Sequence, residues 1–217
     1  MAVQAGILAR GPWQPSRIEV TWRGEPFEPS PAVLDEADRA LAELRGRGSP
    51  SHDGMAARLR DFQATEGRLS LVCEPARWAL RLLPTNAMGS LSALCVVRAA
   101  DGSWLAGRRA AWLATWAERW ALGAAGSVEV GENPIDTLSR ELLEEWSVAP
   151  ERLSVEALVG LPNGIAMLVG MAWLPEGASV TPDSEHDDFA WWPADPERWP
   201  EHADEPLRRT AELLAAA

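Results

Sequence analysis

Residues 126–148 read GSVEVGENPIDTLSRELLEEWSV, and they contain the strongest structural signals in the chain. Its centre predicts a helix over 134–146, because Asn133 suits the N-cap and Pro134 suits the first helical position. A rotation of about 100° per residue places the apolar side chains of this helix on one side. They are Ile135, Leu138, Leu142 and Trp146. We expect that side to face a hydrophobic core.

Three glutamates form a second side of the same helix. Glu141, Glu144 and Glu145 are adjacent or three to four positions apart, so their carboxylates lie close together. One interpretation is a solvated acidic surface, on which each like-charge pair costs about 0.2–0.5 kcal/mol. The other is a site for a hard divalent cation, because Mg²⁺ binds one or two carboxylates together with waters and substrate phosphates.

The whole stretch resembles the Nudix box, which favours the second interpretation. That motif is Gly, five residues, Glu, seven residues, then Arg-Glu-apolar-x-Glu-Glu-x-Gly-apolar. The matching residues are Gly126, Glu132, Arg140, Glu141, Leu142, Glu144, Glu145 and Val148. Ser147 stands where the motif has Gly, a change that concerns the loop after the helix and touches no ligand. The resemblance covers about residues 89–204.

The resemblance implies a role for each box residue. Glu144 and Glu145 would be the principal ligands of Mg²⁺ (or Mn²⁺) and the catalytic glutamates, with Glu141 and the Gly126 carbonyl as further ligands. Arg140 would orient the glutamates. Glu132 would have a structural role as the partner of Arg140. One of the glutamates would accept a proton from a metal-bound water.

Two features outside the box are weaker candidates for substrate binding. Arg108 and Arg109 could hold phosphate oxygens through bidentate hydrogen bonds. Because a strand alternates its faces, we expect at most one of them to point into the site. The acidic stretch 183–188 lies where some members of the family place an extra base or metal ligand. We expect it to be a solvated loop.

Strand and helix patterns continue on both sides of the box. Downstream of residue 88 they predict strands at 91–97, 104–109, 127–130, 155–161, 166–173 and 189–192, and a last helix at 205–214. The resemblance implies an α/β/α sandwich with a mixed sheet for residues 89–217. Residues 1–88 predict a small N-terminal α/β segment, with strands at 18–22 and 68–72 and a helix at 32–45.

Charge and cysteine content restrict the partners. The formal net charge is −12, which argues against a nucleic-acid polymer and an anionic membrane surface, since both recruit clustered basic residues. A small phosphorylated nucleotide remains suitable, because a bound cation can invert the local field. Cys73 and Cys95 lie in separate apolar runs, as free buried thiols in a cytoplasmic protein would. We expect no signal peptide and no membrane span.

These observations predict a metal-dependent hydrolase that cleaves the phosphoanhydride bond of a nucleoside diphosphate linked to another group. A nucleotide sugar is slightly favoured, because residues 52–72 faintly resemble the leading segment of Nudix enzymes that cleave UDP-sugars. The N-terminal segment would build a homodimer or cap the substrate. Two alternatives are a catalytically silent ligand sensor and an isoprenoid-diphosphate isomerase, for which Cys95 in an apolar strand is a poor acid.

Overall fold

A mixed β-sheet dominates the computed structural model, which describes residues 3–50, 53–113 and 115–215. In these ranges the strands are β1 (Gly6–Trp13), β2 (Ile18–Trp22), β3 (Met55–Thr65), β4 (Arg68–Arg77), β5 (Leu91–Arg98), β6 (Trp104–Arg109), β7 (Trp120–Leu122), β8 (Ala124–Ser127), β9 (Arg152–Gly160), β10 (Ala166–Trp173) and β11 (His186–Trp192). The α-helices are α1 (Pro31–Gly46), α2 (Pro134–Trp146) and α3 (Glu205–Ala215). None of these helices combines the length and the apolar character that crossing a membrane requires.

The larger sheet has the strand order β1-β9-β10-β5-β6-β11, with β7 paired to β6 and β8 paired to β5. β10 runs parallel to β5, whereas its pairing with β9 is antiparallel. The sheet is therefore mixed, as predicted. The turn between β9 and β10 contains the pair Asn163-Gly164, and Gly164 has a φ of 84° that favours glycine.

Helices cover both faces of the larger sheet. Successive side chains of a strand point to opposite faces, so each strand contributes residues to both cores. On one face, Cys95 and Leu105 belong to a core that includes the apolar side of α2. On the other face, Val96 and Trp104 pack in a second core with Leu207 of α3. α2 and α3 thus lie on opposite faces. The predicted α/β/α sandwich is confirmed.

The N-terminal segment forms a smaller sheet with the order β2-β4-β3. Leu59 and Leu71 of this sheet are buried in the same core as α2. α1 packs on the short 3₁₀ helix Trp78–Leu82 that follows β4. β1 behaves differently, since it pairs with β9 at the edge of the larger sheet. The segment is therefore packed against the rest of its own chain.

The region between β8 and α2 differs from the sequence prediction. β8 ends at Ser127, so the strand predicted over 127–130 is placed too late. Residues after it turn back, with the Glu132 amide donating to the Glu129 carbonyl at 3.2 Å. The φ of 87° at Gly131 permits this turn. The alternating apolar pattern that suggested a strand belongs in part to this loop.

α2 ends where the sequence predicts. Ser147 is its C-cap, with φ 53° and ψ 35°, and its amide donates to the Leu143 carbonyl at 3.0 Å. This left-handed conformation is the one that glycine adopts at low cost. The serine therefore keeps the helix end that the box requires, at some cost in backbone strain.

Candidate active site

Side-chain hydrogen bonds fasten the loop before α2 to the first turn of the helix. The Asn133 side chain accepts from the Ile135 amide at 3.1 Å, which is the predicted N-cap. Glu132 accepts from the Glu129 amide at 2.9 Å and from the Thr137 hydroxyl at 2.7 Å. The loop and the helix are therefore held as one unit.

Arg140 organises this unit by using its planar set of N–H donors. Its Nε and Nη2 donate to the two carboxylate oxygens of Glu132 at 3.0 and 3.1 Å. Its Nη1 donates to Glu141 at 2.7 Å and to Glu144 at 3.1 Å, and its Nη2 also donates to the Ser127 carbonyl at 3.1 Å. Burial raises the pKa of Glu132, but the hydrogen bonds from Arg140 and its other donors outweigh burial and hold that pKa below its ordinary value.

Glu141 packs directly against the backbone of β8. A Cβ on Gly126 would lie 1.8 Å from Glu141 Oε1, so only glycine leaves room for this carboxylate. Burial raises the pKa of Glu141 to about 7, with Arg140 acting in the opposite direction. Gly126 therefore has a steric role, whatever its carbonyl binds.

Glu145 is the most buried of the three box glutamates, with 3 % of the residue exposed. Its Oε1 accepts a hydrogen bond from the Ala125 amide at 2.9 Å. Its Oε2 is buried and has no hydrogen-bond partner among the described residues. Burial raises the pKa of Glu145 well above its ordinary value. One oxygen is therefore fixed by β8, and the other is left without a hydrogen bond from the described residues.

His186 lies beside that oxygen, with its Nε2 at 3.7 Å from Glu145 Oε2. The imidazole is buried, and its ring centroid lies 4.4 Å from that of Trp146, with the two planes tilted by 35°. A Cβ on Gly107 would lie 2.3 Å from the His186 ring, so a glycine in β6 creates the space. Neither ring nitrogen has a hydrogen-bond partner in the described part of the chain.

Glu144 differs from its neighbours because its side chain is 58 % exposed, and Arg140 is its one ion-pair partner among the described residues. In the described ranges, no three His, Cys, Asp or Glu side chains, the box glutamates included, lie close enough together to hold a metal ion by themselves. Mg²⁺ does not require such a set, because waters and substrate phosphates complete its shell. The buried, unpartnered Oε2 of Glu145 is a group that a cation would satisfy. Glu145 therefore fits one carboxylate position of a hard divalent ion whose remaining ligands include waters and phosphates.

Arg108 and Arg109 point to different sides of β6. The Arg108 side chain is 45 % exposed and donates to Asp187 at 2.7 Å. The Arg109 side chain is 13 % exposed and lies 3.7 Å from Glu185. The positive charge of Arg109 also lowers the pKa of Glu145, against the larger effect of burial. Arg109 is thus the one of the pair that faces the glutamates.

The expectation of a fully solvated loop over 183–188 is wrong for Glu185 and His186. His186 is 6 % exposed. Burial raises the pKa of Glu185, and Glu144 and Asp183 raise it further, whereas Arg109 lowers it. Acidity and spacing alone did not reveal this placement. It arises because β11 pairs with β6, which brings the loop to the site.

The N-terminal segment also reaches the box, which the sequence did not reveal. The Trp22 indole N–H donates to the Glu132 carbonyl at 3.2 Å, and the Ala57 amide donates to the Val128 carbonyl at 2.8 Å. The indole N–H of Trp78 donates to the Ser127 hydroxyl at 3.2 Å. Arg81 donates to that same hydroxyl.

Several solved structures are similar to part of this chain. The MutT protein from Methanosarcina mazei Go1 is 18 % identical, with a TM-score of 0.45, and the match covers 59 % of this chain and 96 % of that one. The NUDIX domain of Shewanella oneidensis NrtR, complexed with ADP ribose, is 20 % identical with a TM-score of 0.45, covering 58 % and 88 %. A C. elegans Ap4A hydrolase is 15 % identical with a TM-score of 0.45, covering 58 % and 96 %.

The sandwich fold and the glutamate helix fastened by an arginine define a pyrophosphohydrolase domain. The model of the NUDIX domain matches residues 88–211, which is more than half of the chain. The chain belongs to the NUDIX domain family. A comparison with curated proteins found no match. The sequence resemblance to this family is confirmed.

Proposed function

We propose that this protein hydrolyses the phosphoanhydride bond of a nucleoside diphosphate linked to another group, with Mg²⁺ or Mn²⁺ held by the glutamates of α2. A nucleotide sugar is the favoured substrate, ahead of a dinucleotide or a nucleoside triphosphate. This preference rests on the resemblance of residues 52–72 to enzymes that cleave UDP-sugars. His52 of that stretch lies outside the described residues.

The main support for this proposal is the burial of one carboxylate oxygen of Glu145. Its Oε2 is buried with no hydrogen-bond partner in the described ranges, on the helix side that also carries Glu141 and Glu144. A buried carboxylate oxygen without a partner is unfavourable unless a cation or a proton compensates it. A solvated acidic surface would leave this oxygen in water. The burial therefore favours a cation-binding role over a merely solvated one.

Each box residue then has a defined task. Glu144 and Glu145 are the principal ligands and the catalytic glutamates, and Glu141 and the Gly126 carbonyl are further ligands. A bound divalent cation would neutralise charge on the diphosphate and lower the pKa of a bound water. Arg140 positions the glutamates through its hydrogen bonds to Glu141 and Glu144.

Arg109 is proposed to bind a phosphate oxygen of the substrate. It is mostly buried beside Glu185, and its guanidinium can form two parallel hydrogen bonds with a phosphate. Arg108, whose substrate role was predicted equally, is exposed and paired with Asp187. We assign it a lesser part, at the rim of the site.

The two alternative functions have less support. A silent sensor would not need the intact set of Glu141, Glu144 and Glu145. An isomerase would need a cysteine that donates a proton to its substrate, but Cys95 is fully buried and burial raises the pKa of its thiol to about 12. The hydrolase remains the proposal that uses all of the box residues.

A cytoplasmic location is proposed from the state of the two cysteines. Cys73 and Cys95 are both free and buried, as expected in a reducing cytoplasm. A small phosphorylated nucleotide is the proposed partner, in preference to nucleic-acid polymers or membranes. The homodimer stays a prediction.

The experiment is a release assay on nucleotide sugars, dinucleotides and nucleoside triphosphates with Mg²⁺. Wild-type turnover should vanish in EDTA and return with Mg²⁺ or Mn²⁺. Glu144→Gln and Glu145→Gln should each lower the rate by about 10² or more, which corresponds to about 2.7 kcal/mol of activation free energy. Mg²⁺ should also protect these variants less against thermal unfolding.

Glu151→Gln is the matched control, because Glu151 is exposed just before β9 and lies outside the box. It should keep the wild-type rate and the wild-type response to Mg²⁺. Wild-type rates in both Glu144→Gln and Glu145→Gln would refute the assignment of chemistry to this helix. So would full activity after exhaustive chelation.

A further inference from the structure

The 3₁₀ helix Trp78–Leu82 of the N-terminal segment contacts the strand that leads into the box. Trp78 Nε1 donates to the Ser127 hydroxyl at 3.2 Å, and Arg81 Nη1 donates to the same oxygen. The backbone carbonyl of Ser127 accepts from Arg140 Nη2 at 3.1 Å. A single residue of β8 therefore connects Arg81 to the arginine that holds the glutamates.

Arg81 lacks a carboxylate partner among the described residues, in contrast to Arg58 and Arg77 of the same segment. These two pair with Glu74 and Asp53. For Arg81, no carboxylate of the described residues lies within 4.0 Å, although its side chain is half-buried. Hydrogen-bond partners of a buried charge normally offset the loss of hydration. This guanidinium has one such bond among the described groups, to an uncharged hydroxyl.

The charges around Arg81 are those of the candidate active site. Burial lowers the pKa of its guanidinium, Glu141 and Glu185 raise it, and Arg109 lowers it. Arg81 therefore lies within electrostatic range of a box glutamate and of the arginine proposed to bind phosphate. The ring of Trp78 lies 5.6 Å from the guanidinium carbon, which helps to hold the side chain in place.

We propose that Arg81 binds non-bridging phosphate oxygens of the substrate, so that the N-terminal segment supplies part of the active site. This inference rests on the proposed function, since it assumes that a diphosphate occupies the site. The planar guanidinium has further N–H donors beyond the one used on Ser127, and their spacing matches two oxygens of a phosphate. Arg81 and Arg109 would then act on the same anionic group.

A purely structural role is the competing explanation, in which Arg81 only fastens the N-terminal segment to Ser127. The two roles differ in what they predict for anion binding. Loss of a fastening contact lowers thermal stability and leaves the affinity of the folded protein for phosphate oxygens unchanged. Loss of a ligand lowers that affinity, whatever happens to the stability.

The test uses the full chain with inorganic pyrophosphate as the probe, at a fixed Mg²⁺ concentration. The dissociation constant is measured by calorimetry for the wild type, Arg81→Gln, Arg81→Lys and the control Arg39→Gln. Arg39 is an exposed arginine of α1, so its replacement removes the same charge from the same segment. The KM and kcat of the best substrate are measured for the same four proteins.

Arg81→Gln should weaken pyrophosphate binding by roughly 10- to 100-fold, because a charge-assisted hydrogen bond is lost. KM should rise by a similar factor, with a smaller change in kcat. Arg81→Lys should recover part of the affinity, since it keeps the charge but not the planar pair of donors. Arg39→Gln should bind like the wild type.

Affinity of Arg81→Gln within twofold of the wild type would overturn the inference, even if its Tm falls. If Arg81→Gln does not fold, wild-type affinity in Arg81→Lys would overturn it, since the lysine cannot reproduce the bidentate contact. Failure of the proposed hydrolysis is distinguishable. In that case no substrate of the panel is turned over, while the dissociation constants for pyrophosphate still decide the role of Arg81.

Discussion

Gly126→Ala tests whether the close contact between β8 and α2 holds the candidate active site in shape. The added Cβ would lie 1.8 Å from Glu141 Oε1 and 2.1 Å from its Cδ, where real Cβ atoms essentially never come within 3.0 Å of another heavy atom. The carboxylate must therefore retreat by roughly 1 Å or more. Its retreat is opposed by the 2.7 Å hydrogen bond from Arg140.

Gly126→Ala should lower both the activity and the thermal stability of the protein. A catalytic group displaced by about 1 Å can lower the rate by about 10², equivalent to about 2.7 kcal/mol of barrier. Overpacking of a closely packed site typically costs about 1–3 kcal/mol of folding free energy. For a chain of this size, each kcal/mol lowers Tm by roughly 2–4 °C. We therefore expect a folded variant with a Tm several degrees lower and little turnover.

The assay measures kcat/KM with Mg²⁺ and Tm by calorimetry. Gly67→Ala is the control, because a Cβ there meets no heavy atom within 4 Å. The double variant Gly126→Ala/Glu141→Ala should be more stable than the sum of the two single losses implies, since the clashing carboxylate is gone, but it should stay inactive. Wild-type kcat/KM and Tm in Gly126→Ala would refute this account of the box.

Two further predictions concern the helix end and the thiols. Ser147→Gly should raise the free energy of unfolding by about 0.5–1 kcal/mol, because glycine adopts φ 53° without strain. Urea denaturation measures this change, and activity should be unchanged. An unchanged or lower free energy of unfolding would show that Ser147 is not strained. Cys73 and Cys95 should both be silent to a thiol reagent at pH 8 and react after denaturation, since burial raises both pKa values from 9.0 to about 12. Because folding raises these two pKa values, the thiols' contribution to stability is complete below pH 9 and is lost as pH rises from 9 towards 12. Rapid labelling of the native protein at pH 8 would contradict the burial on which both statements rest.

Local signals in the sequence were sufficient for α2 and for several strands. The helix occupies Pro134–Trp146 as predicted, because its cap, its first-turn proline and its apolar period all act between near neighbours. β6 and β10 also have their predicted bounds. The pairing of Arg140 with Glu132 was expected from the resemblance, and it is present at 3.0 Å.

Other elements depend on partners that local patterns do not reveal. β1 contains Gly11 and Pro12 and lacks a clear apolar alternation, so its sequence did not predict a strand. It forms one because the edge of β9 offers hydrogen-bonding groups that pair with it. The chain between β8 and α2 alternates like a strand, but the turn at Gly131 redirects it into the loop before the helix.

Local sequence was enough to predict the acidic helix, its caps and the order of its glutamates, since these follow from residues within one or two turns of each other. Long-range packing, in contrast, buries Glu145 beside His186 and brings Arg81 to Ser127, 46 positions further along the chain. The physical reason is that burial and the electrostatic neighbours of a charge depend on which distant elements pack together. The pairing of β11 with β6 brings His186 to Glu145, and the packing of the N-terminal segment brings Arg81 to β8.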